Sequence, residues 1–372
     1  MRQGSVTQTY GQTETQAQTG SYRSYSDWVT LESSRRSAFF AFVMDAQHAS
    51  LFGHKPALSV DDVRLPLPCD DALWECASLQ ETRQKLARAP RSLHFHSVLK
   101  ALISGAELPS TCSTYARSIV LHGLISVIEH LKTHNVSTLG FASGTASAEP
   151  AYLDGAQRTT ATDRRILLGQ AIRNCAVVPC NRNGSPCFTA MHTLHRMARI
   201  SIYANLVDIQ IVAQATSLRG RRLSPGDRSR ATARIYTWFH DPSAKVALRE
   251  ALELIRDTVF DGQRYRASED IIAVRPWCLY QATLLCWVYT QLASSTQVGG
   301  TASMTNASSR MIPAHEYLVR LLASLESGDL GFSEVQKSQG FVSVIRDCLR
   351  GCRWELLNEA YDTLGRLVGD TT

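Results

Sequence analysis

Residues 26–75 read SDWVTLESSRRSAFFAFVMDAQHASLFGHKPALSVDDVRLPLPCDDALWE, and their pattern decides the fold class. Trp28, Leu31, Arg35, Phe39, Phe42, Ala46 and Ala49 recur at steps of three and four, which is one face of an amphipathic helix. Ser26 is placed to cap its start, and Asp27 follows where a helix N-terminus favours negative charge. Gly53 suits a left-handed cap at its end. At ~1.5 Å per residue such a helix runs about 37 Å, long enough to cross a domain. Glu32 and Arg36 stand four apart in the favourable order, and Arg35, beside the apolar face, needs a partner or must snorkel. Pro56, Pro66 and Pro68 then forbid helix and leave a stiff crossing, which Leu58, Leu65 and Leu67 stitch to the core. Asp70 or Asp71 caps a second helix carrying Leu73 and Trp74.

The rest of the chain repeats this helical grammar. The spacing predicts helices over 80–89, 92–104, 112–132, 163–175, 230–240, 242–259, 276–293, 313–326, 341–349 and 354–368. Met191, Leu194, Met197, Ile200, Tyr203, Leu206, Ile209 and Val212 keep helical steps, so 188–218 reads as one long central helix. Period-two alternation of any length is absent. The fold class is therefore all-α: a large irregular helical domain of roughly ten or more helices over 26–370, without significant sheet. Residues 1–25 are rich in Gln, Thr, Ser and Gly and read as a disordered tail. Stretches near 136–160, 219–229 and 294–310 read as mobile loops.

Composition bounds the function. Hydrophobic residues make up 44% and charged residues 19%, a globular balance that supports a real core. The net charge of +6 is mild and establishes no nucleic-acid partner by itself. Ten cysteines in 372 residues are no disulfide scaffold, and those in apolar helical patterns, such as Cys278 and Cys286, read as buried reduced thiols. No apolar signal-peptide core stands at the N-terminus, so an intracellular location is expected. No charge falls between Arg275 and Arg310, yet the apolar run there, at about 17 residues, is at the short edge of a membrane span and carries Gln281, Thr283 and Thr290. It reads as a buried core helix.

Candidate chemistry is sparse. Asp70-Asp71-x-x-x-Glu75 resembles the acidic motif that holds magnesium in helical terpene cyclases, but no second acidic motif follows, and capping accounts for the pair. Cys175, Cys180 and Cys187, with His192 or His195, are poorly spaced for zinc. His94 and His96 make no HExxH pattern. Glu32, Arg35 and Arg36 fit a structural ion-pair network better than a binding site. Arg219, Arg221, Arg222, Arg228, Arg230 and Arg234 form a basic patch; it suits nuclear import or phosphate contact, and more simply a solvated linker and a charged helix start. No GxSxG, P-loop or dinucleotide motif is present, so no enzyme is expected.

Two stretches carry a family resemblance. The first is Trp28-x-x-x-Glu32-x-x-Arg35-Arg36, Phe40-x-x-x-x-Asp45, Leu51-Phe52-Gly53, Pro56-x-Leu58, and Leu65-Pro66-Leu67-Pro68-Cys69-Asp70-Asp71-x-Leu73-Trp74-Glu75. The second is Arg275-Pro276-Trp277-Cys278-Leu279-Tyr280 with Leu284, Trp287 and Tyr289. Together they resemble the fungal-specific transcription factor domain, the all-helical middle homology region of fungal zinc-finger regulators, and among those the members with two-cysteine, two-histidine fingers. The resemblance covers roughly residues 28–368 and implies a nuclear regulatory domain of RNA polymerase II transcription. Its expected contacts are effectors, co-regulators, the transcription machinery or a second copy. It also implies that zinc and DNA belong to a module outside this chain, with no cofactor within it. Two alternatives stand beside it: a free-standing interaction or scaffold protein derived from that family, and an all-helical lipid-processing enzyme.

Overall fold

The computed structural model describes residues 24–52, 56–88, 92–110, 112–138, 154–175, 186–213, 217–218, 221–260, 265–270, 274–297, 313–327 and 338–369. Among these the chain is mostly helical. The helices are α1 (Tyr25–Phe52), α2 (Asp71–Trp74), α3 (Leu79–Arg88), α4 (Phe95–Ile103), α5 (Thr114–Thr138), α6 (Asp154–Asn174) and α7 (Pro186–Tyr203). After them come α8 (Leu206–Val212), α9 (Pro225–Phe239), α10 (Pro242–Val259), α11 (Val274–Gln297), α12 (Ala314–Ser327), α13 (Ser338–Leu349) and α14 (Glu355–Leu367). The one strand pair among the described residues joins β1 (Ser217–Leu218) to β2 (Arg221–Arg222), two residues each. The all-α expectation holds.

Several boundaries differ from the sequence reading for identifiable reasons. Helix α1 is capped by Ser24, not Ser26. The Ser24 hydroxyl accepts the Asp27 N–H at 3.1 Å, and the Asp27 carboxylate accepts the Ser24 N–H at 3.0 Å. Only Ser24 has an acidic residue three positions on, so only Ser24 closes a reciprocal box. Ser24 and Tyr25 are thus cap and helix rather than tail, and residues 1–23 lie outside the described residues. The single helix expected over 188–218 is broken. Asn205, with extended backbone, starts α8 by accepting the N–H groups of Val207 and Asp208. The expected loop near 219–229 is partly helix: Ser224 and Asp227 form a second capping box at 3.1 Å, with Pro225 at the first helical position. Likewise α5 reaches 138, α6 begins at 154 and α11 reaches 297, inside stretches read as loop. Residues 139–153, 176–185 and 298–312 lie outside the described residues.

The apolar faces assemble two main cores. The first joins Phe39 and Phe42 of α1 to α4, α5, α6 and part of α7, around Phe95, whose ring centroid lies 5.6 Å and 5.3 Å from theirs. The second joins the other side of α7 and α8 to α10, α11, α12, α13 and α14. Helix α7 is the shared wall: Met191, Leu194 and Ala198 face the first core, while Met197 and Ile200 face the second. Ions tie α7 to α10 as well. Arg196 pairs with Asp257 at 2.8 Å and Arg199 with Glu250 at 2.6 Å. A small third cluster, Trp28, Leu73 and Cys76, anchors the start of α1 to α2. Helix α11 is almost wholly buried between its neighbours, and no helix among the described residues is long and apolar enough to cross a membrane.

Candidate functional site

The arginines of α1 are consumed by structure. Glu32 is 1% exposed. Its Oε2 accepts from Arg35 at 2.6 Å, and its Oε1 accepts from Arg36 at 3.1 Å and from the Cys69 N–H at 2.9 Å. Arg36 also donates to the Cys69 carbonyl at 3.0 Å, stands 3.7 Å from Asp71 and lies over the Trp74 ring at 4.7 Å. The node therefore fastens the proline-bearing crossing to α1. It leaves no open guanidinium fork for a phosphate. Burial first, and then the Glu32 charge, pushes the Cys69 thiol up to about 12, so it stays protonated and is no nucleophile.

The other signature residues follow the same pattern. Asp45 accepts the N–H groups of Ala57 and Leu58 at 3.1 and 2.8 Å, which pins the crossing where it leaves Pro56. Pro66 and Pro68 are buried, and Pro66 sits in an isolated antiparallel bridge with His94. Asp70 caps α2 through the Ala72 N–H at 2.8 Å, while Asp71 faces Arg36. Phe52 is the last residue of α1. Trp28 packs against Trp74 at a tilt of 46°, with centroids 5.9 Å apart. Pro276 and Trp277 are buried in the first turns of α11, and Trp287 is half-buried against the second core.

The remaining candidates stay scattered. Arg219 lies outside the described residues, and Arg221 and Arg222 form β2. Arg228 and Arg230 stand on α9, where Arg230 pairs with Asp227 at 2.8 Å. Arg234 donates to Asp208 at 2.8 Å. His195 bonds through Nε2 to the Ile172 carbonyl at 2.9 Å, and burial holds its imidazole down to about 4, so it is a neutral strut. Cys175 is buried, and Cys180 lies outside the described residues. No group of three or more metal-ligating side chains gathers among the described residues. Burial pushes the unbridged Cys278 thiol up to about 12.

A different site emerges where the two cores meet. A partly enclosed cavity opens between α1, α5, α7, α8 and α11. Ile125 and Leu194 of the first core face Met197, Leu206, Trp277 and Cys278 of the second across it. Gln47, Ser50, His122, Ser201 and Gln281 supply its polar lining, and no charged side chain joins them. About 20 Å³ is open to the centre of a water molecule, where one water needs roughly 10–15 Å³. His122 bonds through Nδ1 to the Ser118 carbonyl at 2.7 Å and faces the Gln47 side-chain nitrogen through Nε2 at 2.9 Å. That pattern fits a neutral imidazole donating from Nδ1 and accepting at Nε2. Burial agrees, holding its pKa down to about 4. Gln281 is 1% exposed, and neither end of its carboxamide has a hydrogen-bond partner. Its helix-mates Thr283 and Thr290 do find partners, in the Leu279 and Trp287 carbonyls. Gln281 was visible in the sequence as a polar residue in an uncharged run. His122 lies inside the apolar 112–132 helix, where a lone imidazole among Ile119, Leu121 and Leu124 is itself the signal.

Comparison with known proteins finds relatives of this chain. Residues 8–162 match the family model described as the fungal specific transcription factor domain. The chain is 27% identical over 353 residues to the zinc finger protein klf1 of Schizosaccharomyces pombe, covering 92% of this chain and 42% of that one. It is 27% identical to the nicotinate catabolism cluster-specific transcription factor of Emericella nidulans, over 90% of this chain and 38% of that one. It is 25% identical to the zinc finger protein zas1 of S. pombe, over 92% of this chain and 37% of that one. The chain thus spans about two fifths of the length of these relatives, which are named as zinc-finger proteins or transcription factors and not as enzymes. No solved structure matches it.

Proposed function

From the match of residues 8–162 to the fungal specific transcription factor domain, we propose that the chain is the regulatory region of a fungal transcription factor, working in the nucleus on RNA polymerase II transcription. In this reading it acts through effector or protein contacts, and DNA is contacted by a separate zinc-finger module. The observation that carries the reading is the extent of the match. Relatives named as zinc finger proteins or as a transcription factor align over 90–92% of this chain, through both cores, while the chain accounts for only 37–42% of their lengths. Residue chemistry supports it. The α1 arginines are internally paired, and on α9 Arg230 pairs with Asp227 and Arg234 with Asp208.

The test is a reporter fusion. Joined to an unrelated DNA-binding module in a fungal cell, the chain is expected to change reporter output at least several-fold relative to that module alone. An unchanged output would overturn the regulatory reading. In an electrophoretic shift assay the chain alone is expected to show no sequence-specific DNA binding, and tight specific binding would overturn the separate-module part.

A further inference from the structure

The lining and the size of the cavity between the cores together decide what fills it. Empty cavities in proteins are lined by apolar groups, whereas a buried space with several polar groups around it is wet. This one has Gln47 and Ser50 of α1, His122 of α5, Ser201 of α7 and Gln281 of α11 among its apolar walls. About 20 Å³ is open to a water centre, which is room for one molecule. Gln281 is 1% exposed, and neither its Oε1 nor its Nε2 has a hydrogen-bond partner in the protein. Thr283 and Thr290 of the same helix bond to carbonyls of α11 itself, so burial in this helix does not by itself leave a polar group unpaired. Leaving both ends of a buried carboxamide unpaired costs more than immobilising one water. No carboxylate lines the space, so a cation there would lose its hydration without replacement. Across the cavity, Gln47 uses one side-chain N–H on His122 Nε2 and has its carbonyl to offer as an acceptor.

We propose that this cavity holds one buried water molecule, hydrogen-bonded to the Gln281 carboxamide of α11 and to the Gln47 carboxamide of α1. Helix α11 belongs to the second core and α1 to the first, so the cores meet there through a water-mediated joint. The joint couples Gln281 to Gln47 without a direct hydrogen bond between them.

The experiment uses the purified full chain, deuterated and labelled with nitrogen-15 on glutamine side chains. The Gln281 NH₂ pair is identified as the one missing from both Gln281→Met and Gln281→Leu. It is expected to show a cross-peak at the water frequency that changes sign between laboratory-frame and rotating-frame measurements. Dipolar contact with a long-lived water gives that inversion, and proton exchange does not. The cross-peak is expected to persist when Ser50→Ala and Ser201→Ala are combined, which leaves no serine hydroxyl in the lining to imitate water. Its absence from the wild type, or its loss with those two hydroxyls, would overturn the water. The joint is read by a double-mutant cycle. Gln47→Leu is expected to lower Tm by about 1–3 °C more in the wild-type chain than in Gln281→Met, because only the former has a water to strand. The broken bond to His122 is common to both backgrounds and cancels. Equal losses would confine the water to α11 and overturn the joint.

Discussion

At the scale of single residues, Glu32 is the most consequential side chain outside the cavity. One buried carboxylate satisfies two arginines and a backbone N–H, and so joins α1 to a crossing 37 positions away. Glu32→Gln keeps the shape but leaves Arg35 and Arg36 facing a neutral amide. Both guanidinium groups are largely buried, so the loss is expected to be on the order of 3 kcal/mol, read as a lower urea midpoint with unchanged slope. A loss below about 1 kcal/mol would mean the pairs are screened like surface ions. His122 gives a prediction in pH. Burial lowers its pKa from 6.5 to about 4, so the unfolded chain takes up a proton that the folded chain refuses. Stability therefore falls as pH drops from about 6.5 toward 4, by up to about 3 kcal/mol from this group, and is restored above that window. His195 contributes in the same direction, burial being its main cause too. His122→Gln is expected to flatten the slope of unfolding free energy against pH between those limits, and an unaltered slope would show that His122 is not the group responsible.

At the scale of elements, apolar periodicity made nearly every helix legible, because each lays one stripe on a core and that stripe is written in its leucines, isoleucines and aromatics. What periodicity hides is a break that preserves phase. Leu206, Ile209 and Val212 continue the pattern of α7 past Tyr203, yet Asn205 ends one helix and caps the next. The apolar steps run on because α8 still faces the same core, so only the capping chemistry of Asn205 marks the turn. Asn205→Ala is expected to cost about 1 kcal/mol in chemical denaturation. No loss would mean that tertiary packing alone sets the break. Close approach is equally invisible in a pattern. A side-chain carbon built on Gly123 would stand 2.8 Å from the Phe95 ring, in the interlock of α5 with α4. Gly123→Ala is therefore expected to destabilise by about 1–3 kcal/mol despite its better helix propensity. A gain in Tm would show that the ring moves aside at little cost.

At the scale of the whole molecule, the sequence announces one large helical region but not its division into two cores. The division depends on α7 presenting Leu194 and Ala198 to one side and Met197 and Ile200 to the other, a partition that a three-residue step on a helix permits but does not reveal. The cavity was illegible for the same reason: Gln47, His122 and Gln281 are far apart along the chain, and only the meeting of the cores brings them together. The shared helix also has a consequence for cooperativity. If each core were an independent unit, a lesion in one would lower protection in that one alone. But α7 contributes buried side chains to both, and Arg196 and Arg199 tie it to α10. Losing the first core therefore removes a wall of the second. Phe42→Ala, buried entirely on the first side, is expected to cost about 3–5 kcal/mol. Hydrogen exchange in the slow-opening amides of α10 should then rise by the same free energy as in α4, although no atom of Phe42 belongs to the second core. If α4 loses its protection while α10 keeps its own, the cores open separately.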